Sequence, residues 1–369
     1  MKFSVNREEL LRPLTLVAGA VERRQTMPIL SNILLRTAGK KLQLTGTDLE
    51  VELSAVVVPL AVESQGEITV PARKLLDICK SLPEGCDISF ALEGGKAVLR
   101  SGRSRFSLAT LAAADFPAVQ RDESGFSVAV NCLEFKQLID KTAFSMAQQD
   151  VRYYLNGMLW ELSGKQFKAI STDGHRLAIA SLSLPEKIAG GKQQFIVPRK
   201  GVLELSRLLD DDEAEILLEF GGNHIRATAD GVAFVSKLVD GKFPDYERVL
   251  PKGGDKVVLA NRLELKSALS RSAILSNEKF RGVRFGVSSG QVDIQANNPE
   301  KEEASEEVSV SYQGEAVEMG FNVSYLIDVL AALRGEQIRL TLADSNSSAL
   351  LEDGVEGNNA LYVVMPMRL

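Results

Sequence analysis

Gly286-Val287-Ser288-Ser289-Gly290 matches the G-x-S-x-G pattern that, in one class of hydrolases, lifts a nucleophilic serine on a turn from strand to helix. Here the pattern lies between two alternating stretches, GVRFGV and QVDIQA, so it reads as the turn of a β-hairpin. His175 and His224 are the only histidines and both precede Ser288, whereas that hydrolase arrangement needs its histidine last. Thr172-Asp173-Gly174-His175 would suit an acid–base pair. Its counterparts Thr47-Asp48 and Asn297-Asn298 have no histidine, which favours a strand end followed by a turn. Cys79, Cys86 and Cys132 lack paired metal spacing, and two histidines are too few for a histidine-rich metal site. Neither GxxxxGK[ST] nor GxGxxG occurs. The expectation is a protein with no catalytic residue, no metal and no cofactor.

Elements that recur in one order explain those counterparts. Asn6, Asn131 and Asn261 stand at offsets of 125 and 130, each with Glu three places on (Glu9, Glu134, Glu264), a helix-start signal in which Asn accepts a first-turn amide. VPARKLLDICKSL from Val70, VPRKGVLELSRLL from Val197 and FNVSYLIDVLAAL from Phe321 align without gaps and read as amphipathic helices. An acid holds the matching place in each, as Asp77, Glu204 and Asp328. Strand-like LQLTGTDLE, KAISTDGHR and DIQANNPEK place Thr47, Thr172 and Asn297 at offsets of 125. The order helix, strands, helix, strands occurs three times, which makes the chain a threefold repeat of α+β class.

Its 369 residues exceed what one core usually organises, and polar stretches near Gln120–Gly125 and Pro251–Lys256 set expected domains of 1–125, 126–252 and 253–369. No apolar run is long enough to span a membrane, and MKFSVNREEL has no apolar signal region, so a cytoplasmic protein is expected. Net charge is −6, against a protein that coats DNA over its whole surface. The six expected helical segments together carry +7, leaving −13 elsewhere. Two readings are open: a basic face on an acidic body, or charged residues that simply solvate helix faces. Tyr153 and Tyr154 likewise suit packing first and base stacking second.

SGRSRFSL (101–108), QQDVRYYLNGML (148–159), STDGHRLA (171–178), SKLVDGKFPDYERVLP (236–251), AILSNEKFRGVR (273–284) and YVVMPMRL (362–369) resemble the bacterial sliding clamps, the beta subunits of DNA polymerase III, with the gammaproteobacterial type the nearest likeness. VPRKG (197–201) and GFNVSY (320–325) carry it further, and it runs from MKF to MRL. The resemblance implies three DNA-clamp domains, each with two inner helices and outer antiparallel sheets, in a ring made by a head-to-tail homodimer. It implies a non-catalytic processivity factor that encircles duplex DNA, slides without reading sequence and tethers its partners. Those partners would be the replicative polymerase, a clamp loader, translesion polymerases and repair proteins, docking by linear peptide motifs. Two other classes remain: a monomeric repeat scaffold that binds peptides, and a serine hydrolase at Ser288.

Carried over position by position, the resemblance places DNA contacts at Arg24, Arg73, Gln149, Tyr153, Tyr154, Lys200 and Arg207, with the two tyrosines stacking on single-stranded template beyond the duplex. It places a peptide-docking cleft at Leu155, Thr172, Gly174, His175, Arg176 and Leu177, with Pro244, Arg248 and Val249. Asn322, Tyr325 and Ser348 join them, as does the chain end Val363, Val364, Met365, Pro366, Met367, Arg368 and Leu369. Arg176 would orient a polar group of a peptide with Leu or Phe anchors. The residues support that site independently: an apolar chain end wants a burial partner, and Pro366 stops a strand from extending its ladder. The seam of the ring would join Phe106 and Leu108 to Ile274 and Leu275. Lys74, Arg103 and Arg105 would face Glu300, Glu302, Glu303 and Glu306, setting register more than affinity.

Overall fold

In a computed structural model, residues 1–21, 27–117, 125–188, 191–209, 214–354 and 359–368 are described. Six α-helices occur among them: α1 (Arg7–Ala20), α2 (Ala72–Ser81), α3 (Cys132–Asp140), α4 (Arg199–Leu208), α5 (Arg262–Ser272) and α6 (Val323–Ala332). They start where the repeat requires. Asn6 Oδ1 accepts the Glu8 amide, Asn261 Oδ1 accepts those of Leu263 and Glu264, and Asn322 Oδ1 accepts that of Ser324. Helix ends depart from expectation. α3 stops at Asp140 instead of running toward Arg152, and single 3₁₀ turns follow at Ala143–Ser145 and Tyr153–Leu155. With the observed bounds the six helices carry +4 rather than +7, because several cations lie in the segments that follow helices.

The chain divides into two compact units. The first is Met1–Leu133 with Lys200–Leu238. It holds a five-stranded antiparallel sheet that ends at strand Ser104–Ala109, and an eight-stranded one running from Phe126–Asn131 to Gly66–Pro71. Within it α1 buries Leu10, Leu14 and Val17, spaced as one helical face, against the strands Lys41–Thr47 and Val51–Val57. The second unit, Glu134–Arg199 with Val239–Leu369, is built on a twelve-stranded sheet. At its middle, Arg176–Ser183 pairs with Ala360–Val364, so the penultimate stretch of the chain is a central strand. α5 and α6 pack together there, with Leu326, Val329 and Leu330 of α6 buried.

Strands Gly282–Ser288 and Gln291–Asn297 pair through Ser288 and Gln291, and Gly290 has φ +78°. Gly286–Gly290 is thus a hairpin, as its flanking alternation indicates, and Ser288 is not raised on a strand-to-helix turn. Among the described residues no helix is long and apolar enough to cross a membrane, and no group of His, Cys, Asp and Glu could hold a metal ion.

Candidate functional site

One turn is built twice. Thr172 Oγ1 takes the Gly174 amide (3.0 Å) and donates to the Arg176 carbonyl (2.6 Å), while Asp173 Oδ1 accepts the amides of His175 and Arg176. In the other unit Thr47 Oγ1 takes the Leu49 amide and donates to the Val51 carbonyl, and Asp48 Oδ1 accepts the amides of Glu50 and Val51. The residue after Asp is left-handed in both, at φ +90° for Gly174 and +79° for Leu49. The short side chains thus close the loop as a backbone turn would. Asp173 is spent on that closure and on Arg176 Nε (3.0 Å), which excludes an acid–base pair with the His175 ring.

In the second unit this turn meets the chain end. The Met365 amide donates to the His175 carbonyl (2.9 Å) and the Met367 amide to the Gly320 carbonyl (2.8 Å), so the stretch across Pro366 is pinned beside the start of α6. The His175 and Tyr325 rings stack with centroids 6.4 Å apart. The Arg176 guanidinium lies 4.5 Å from the Tyr325 ring centre and 5.3 Å from that of Phe144. Its Nη1 donates to Asp328 (2.6 Å) and its Nη2 to the Phe144 carbonyl (2.8 Å). With Nε on Asp173, every guanidinium nitrogen has a partner inside the chain. Arg176 braces the wall with three of its five guanidinium N–H groups, which leaves one on each Nη. Burial, with the Asp173 charge next, pushes the Tyr325 hydroxyl above its ordinary value.

The floor is apolar. Leu155, Leu177 and Val363 join Ala147, Leu159, Phe243 and Tyr246 in one buried cluster, against which Tyr154, Val249, Leu250 and Leu350 pack half-buried. Val363 pairs with Leu177 across the ladder. Val364, one residue on, points to the opposite face and is fully buried there, so its side chain does not line this surface. Pro244 and Arg248 are exposed on the adjoining loop, where Arg248 is paired with Asp245 (2.8 Å). Met365, Pro366, Met367, Ser348 and Asn322 are half-buried and Arg368 is exposed; Leu369 lies outside the described residues. The expected peptide-site residues are therefore largely brought together, on elements far apart in sequence. Phe144, Arg152, Asp173 and Asp328 support them; the recurring Thr-Asp pair pointed to Asp173 and the acid recurring in the second helix of each repeat to Asp328, while nothing in the sequence singled out Phe144 or Arg152.

The expected DNA contacts are more mixed. Arg73 is about two-thirds exposed and lies near Asp77 at 3.9 Å. Arg207 is equally exposed and bonded to Glu204 (2.6 Å), whose carboxyl burial holds above its usual range. Gln149 and Tyr153 are exposed. Tyr154 is half-buried and packs against the apolar cluster, with its ring 5.7 Å from that of Tyr153. Lys200 is not poised for a phosphate: its ammonium is bound to the Asp48 carboxylate and the Ala20 carbonyl. Arg24 lies outside the described residues.

At the expected seam, Ile274 is 75% exposed and Leu275 half-buried, at the end of α5. Phe106 is half-buried. Leu108 is only 7% exposed, its side chain being part of the first unit's core rather than offered outward. Glu306 is held by Arg271 through two bonds, and Glu302 is bonded to Asn298, so these acids already have partners. Lys74, Arg103, Glu300 and Glu303 are exposed, and exposed Arg105 stands 3.9 Å from Glu93.

A turn built twice, helices in matching places and an apolar surface at the chain end make this a repeat protein with a candidate docking surface. Family models place it. Those of the N-terminal, central and C-terminal domains of the DNA polymerase III beta subunit match residues 1–120, 129–245 and 247–368. The beta sliding clamps of Pseudomonas putida and Escherichia coli K12 are 57% and 53% identical to it over 369 residues, all of each chain. The crystal structure of the Pseudomonas aeruginosa sliding clamp bound to griselimycin superposes with a TM-score of 0.96 at 56% identity, covering both chains fully. The Caulobacter crescentus pol III beta gives 0.94 at 37%, again with full coverage. The chain belongs to the DNA polymerase III beta subunit family of sliding clamps, and it is a non-catalytic processivity factor of DNA polymerase. Proteins of this family bind DNA and polymerase partners.

Proposed function

We propose that two copies of this chain close head to tail into a ring of six domains, divided at 1–125, 126–252 and 253–369 in each copy, that encircles duplex DNA and slides on it. Family membership supports the ring, and two free sheet edges support the seam. Among the described residues strand Ser104–Ala109 pairs only with Lys96–Ser101. Among the described residues, 303–309 pair on one side alone, since pairing with the strand Lys256–Asn261 begins at Val310. Unpaired edges invite a further strand, and exposed Ile274 would be covered by closure. Arg24, Arg73, Gln149, Tyr153 and Arg207 would contact DNA through phosphate or an unpaired base, which positions the duplex without reading it. Topology, rather than affinity, would hold the ring in place. The replicative polymerase, clamp loader, translesion polymerases and repair proteins would dock short peptides on the apolar surface of the second unit, and a tethered polymerase that dissociates is recaptured at high local concentration. Working on chromosomal DNA puts the protein in the cytoplasm.

The observation that carries the docking site is the pinning of the chain end between the Thr172–Arg176 turn and Gly320 of the strand Val317–Asn322, which holds half-buried Met365 and Met367 in the stretch that directly follows Val363 of the apolar cluster. Flexible thioethers adapt to several partners. Deleting Met365–Leu369 is expected to abolish binding of a Gln-x-x-Leu-Phe-type peptide while the dimer persists; undiminished affinity would place docking elsewhere. For the ring, the protein is loaded on nicked circular DNA with a loader and the circle is then cut. A topological clamp slides off the ends, whereas a groove binder stays.

A further inference from the structure

Glu161 is a carboxylate where an aliphatic residue would be expected. Strand Gly157–Ser163 alternates, and Leu159, on the same face two residues earlier, belongs to the apolar cluster under the docking surface. At that cluster's margin Glu161 is 3% exposed. A carboxylate so buried persists only if donors replace its water. Three do. Lys192 Nζ and Gln194 Nε2 each lie 2.8 Å from Oε2, and the Tyr246 hydroxyl donates to Oε1 at 3.0 Å. Burial opposes its charge, but these bonds together keep its pKa below the usual glutamate value.

The third donor points beyond stability. Tyr246 opens the 3₁₀ turn Tyr246–Arg248, and its ring lies in the apolar cluster. From that turn Arg248 and Val249 form one lip of the docking surface, and the Val249 amide bonds back to the Tyr246 carbonyl (3.1 Å). Lys192 reinforces the same turn, lying 5.9 Å from the Tyr246 ring centre and 4.0 Å from Glu247. Glu161 on its strand and Lys192 beside the strand Gln193–Pro198 thus both reach the lip. We infer that Glu161 is a positioning residue for peptide docking: with Lys192 and Gln194 around it, it fixes the Tyr246 hydroxyl and through it the Pro244–Val249 lip. The inference rests on the docking site proposed above. A mobile lip would have to be ordered by each incoming peptide, at a cost to affinity that a pre-set lip avoids.

The test uses the full-length protein, an acetyl-Gln-Ala-Ala-Leu-Phe peptide carrying a fluorophore, and the variants Tyr246→Phe, Glu161→Gln and both together. Tyr246→Phe keeps the ring in the cluster and removes only the bond. It is expected to weaken the peptide about fivefold to tenfold, with the double variant no weaker than the worse single one. Amides of Arg248 and Val249 should exchange faster while those of Leu159 and Ile170 keep their protection. A purely structural role predicts the opposite pattern: a lower Tm, faster exchange throughout and unchanged affinity well below Tm. That result, or wild-type affinity in Tyr246→Phe, overturns the inference. The Met365–Leu369 deletion separates the two levels. If it binds peptide normally, the docking site and the inference both fall; if it is silent while Tyr246→Phe binds normally, the inference falls alone.

Discussion

Gly174 carries two constraints at once. Its φ of +90° is a conformation that costs an L-residue about 1–2 kcal/mol. A Cβ there would also stand 2.9 Å from Nη1 of Arg152, and that guanidinium is bound to Asp150 and the Asp173 carbonyl. Leu49 bears the same backbone cost at the matching place in the first unit, with its side chain exposed. Gly174→Ala is therefore expected to displace Arg152, lower Tm by a few degrees and weaken the peptide severalfold; calorimetry and peptide titration on one preparation check both. Leu49→Gly, at the matching place, should leave peptide affinity unchanged. The Thr-Asp turn was legible in sequence because its bonds are local and its residues recur at a spacing of 125. The struts were not. Arg176 meets Asp328, 152 residues away, and Phe144 comes from the 3₁₀ turn Ala143–Ser145, and no periodicity encodes such pairings.

At the scale of elements, helix starts were readable and helix ends were not. A start is announced by one side chain that accepts amides, as Asn6, Asn261 and Asn322 do. α5 passes directly into a 3₁₀ turn and α3 is followed by one two residues on, and the cations beyond them, Lys141, Arg152, Lys279 and Arg281, fall outside the helices. The loop after α3 shows what replaces the helix. Asn156 takes the Asp150 amide and donates to its carbonyl, while Asp150 holds the amide and guanidinium of Arg152. The Arg152 hydrogen bonds hold the Asp150 carboxyl at about 2, below the usual 3.8. A depressed acid pKa contributes stability above the unfolded value, and that contribution is lost as pH falls through the folded one. The loop should thus keep its structure from neutral pH to below 4 and loosen only as pH approaches 2. A carboxyl-carbon NMR titration checks this; a midpoint near 4 for Asp150 would mean that Arg152 does not hold it. Asp150→Asn should bring the loosening to neutral pH, read as faster exchange of the Arg152 amide.

For the whole molecule, sequence periodicity yields three repeats, whereas contacts group the central repeat's strands with two different sheets. Hydrogen bonding explains why. Strand Val232–Lys237 pairs with Val51–Val57 and strand Arg176–Ser183 with Ala360–Val364, so ladders continue across repeat boundaries that a period cannot reveal. The same logic bears on the proposed seam. A ladder left open at Ser104–Ala109 and at residues 303–309 is an aggregation hazard in a lone chain, and native proteins cover such edges or charge them. These are charged, with Arg103 and Arg105 at one and Glu300 and Glu303 at the other, which favours one pairing and disfavours self-pairing of either edge. In that proposal Ile274, 75% exposed, would be the apolar anchor, whereas Leu108, 7% exposed, already packs in its own core. Ile274→Ala with Leu275→Ala should therefore yield a folded monomer on sedimentation, with a near-native circular dichroism spectrum. Leu108→Ala should instead lower stability by about 2–5 kcal/mol, as loss of a core leucine does, with a dimer persisting while it stays folded. An unchanged dimer in the double variant would remove this seam from the proposal. Raised salt should weaken the wild-type dimer only modestly if the charges set register and the apolar contact supplies the affinity.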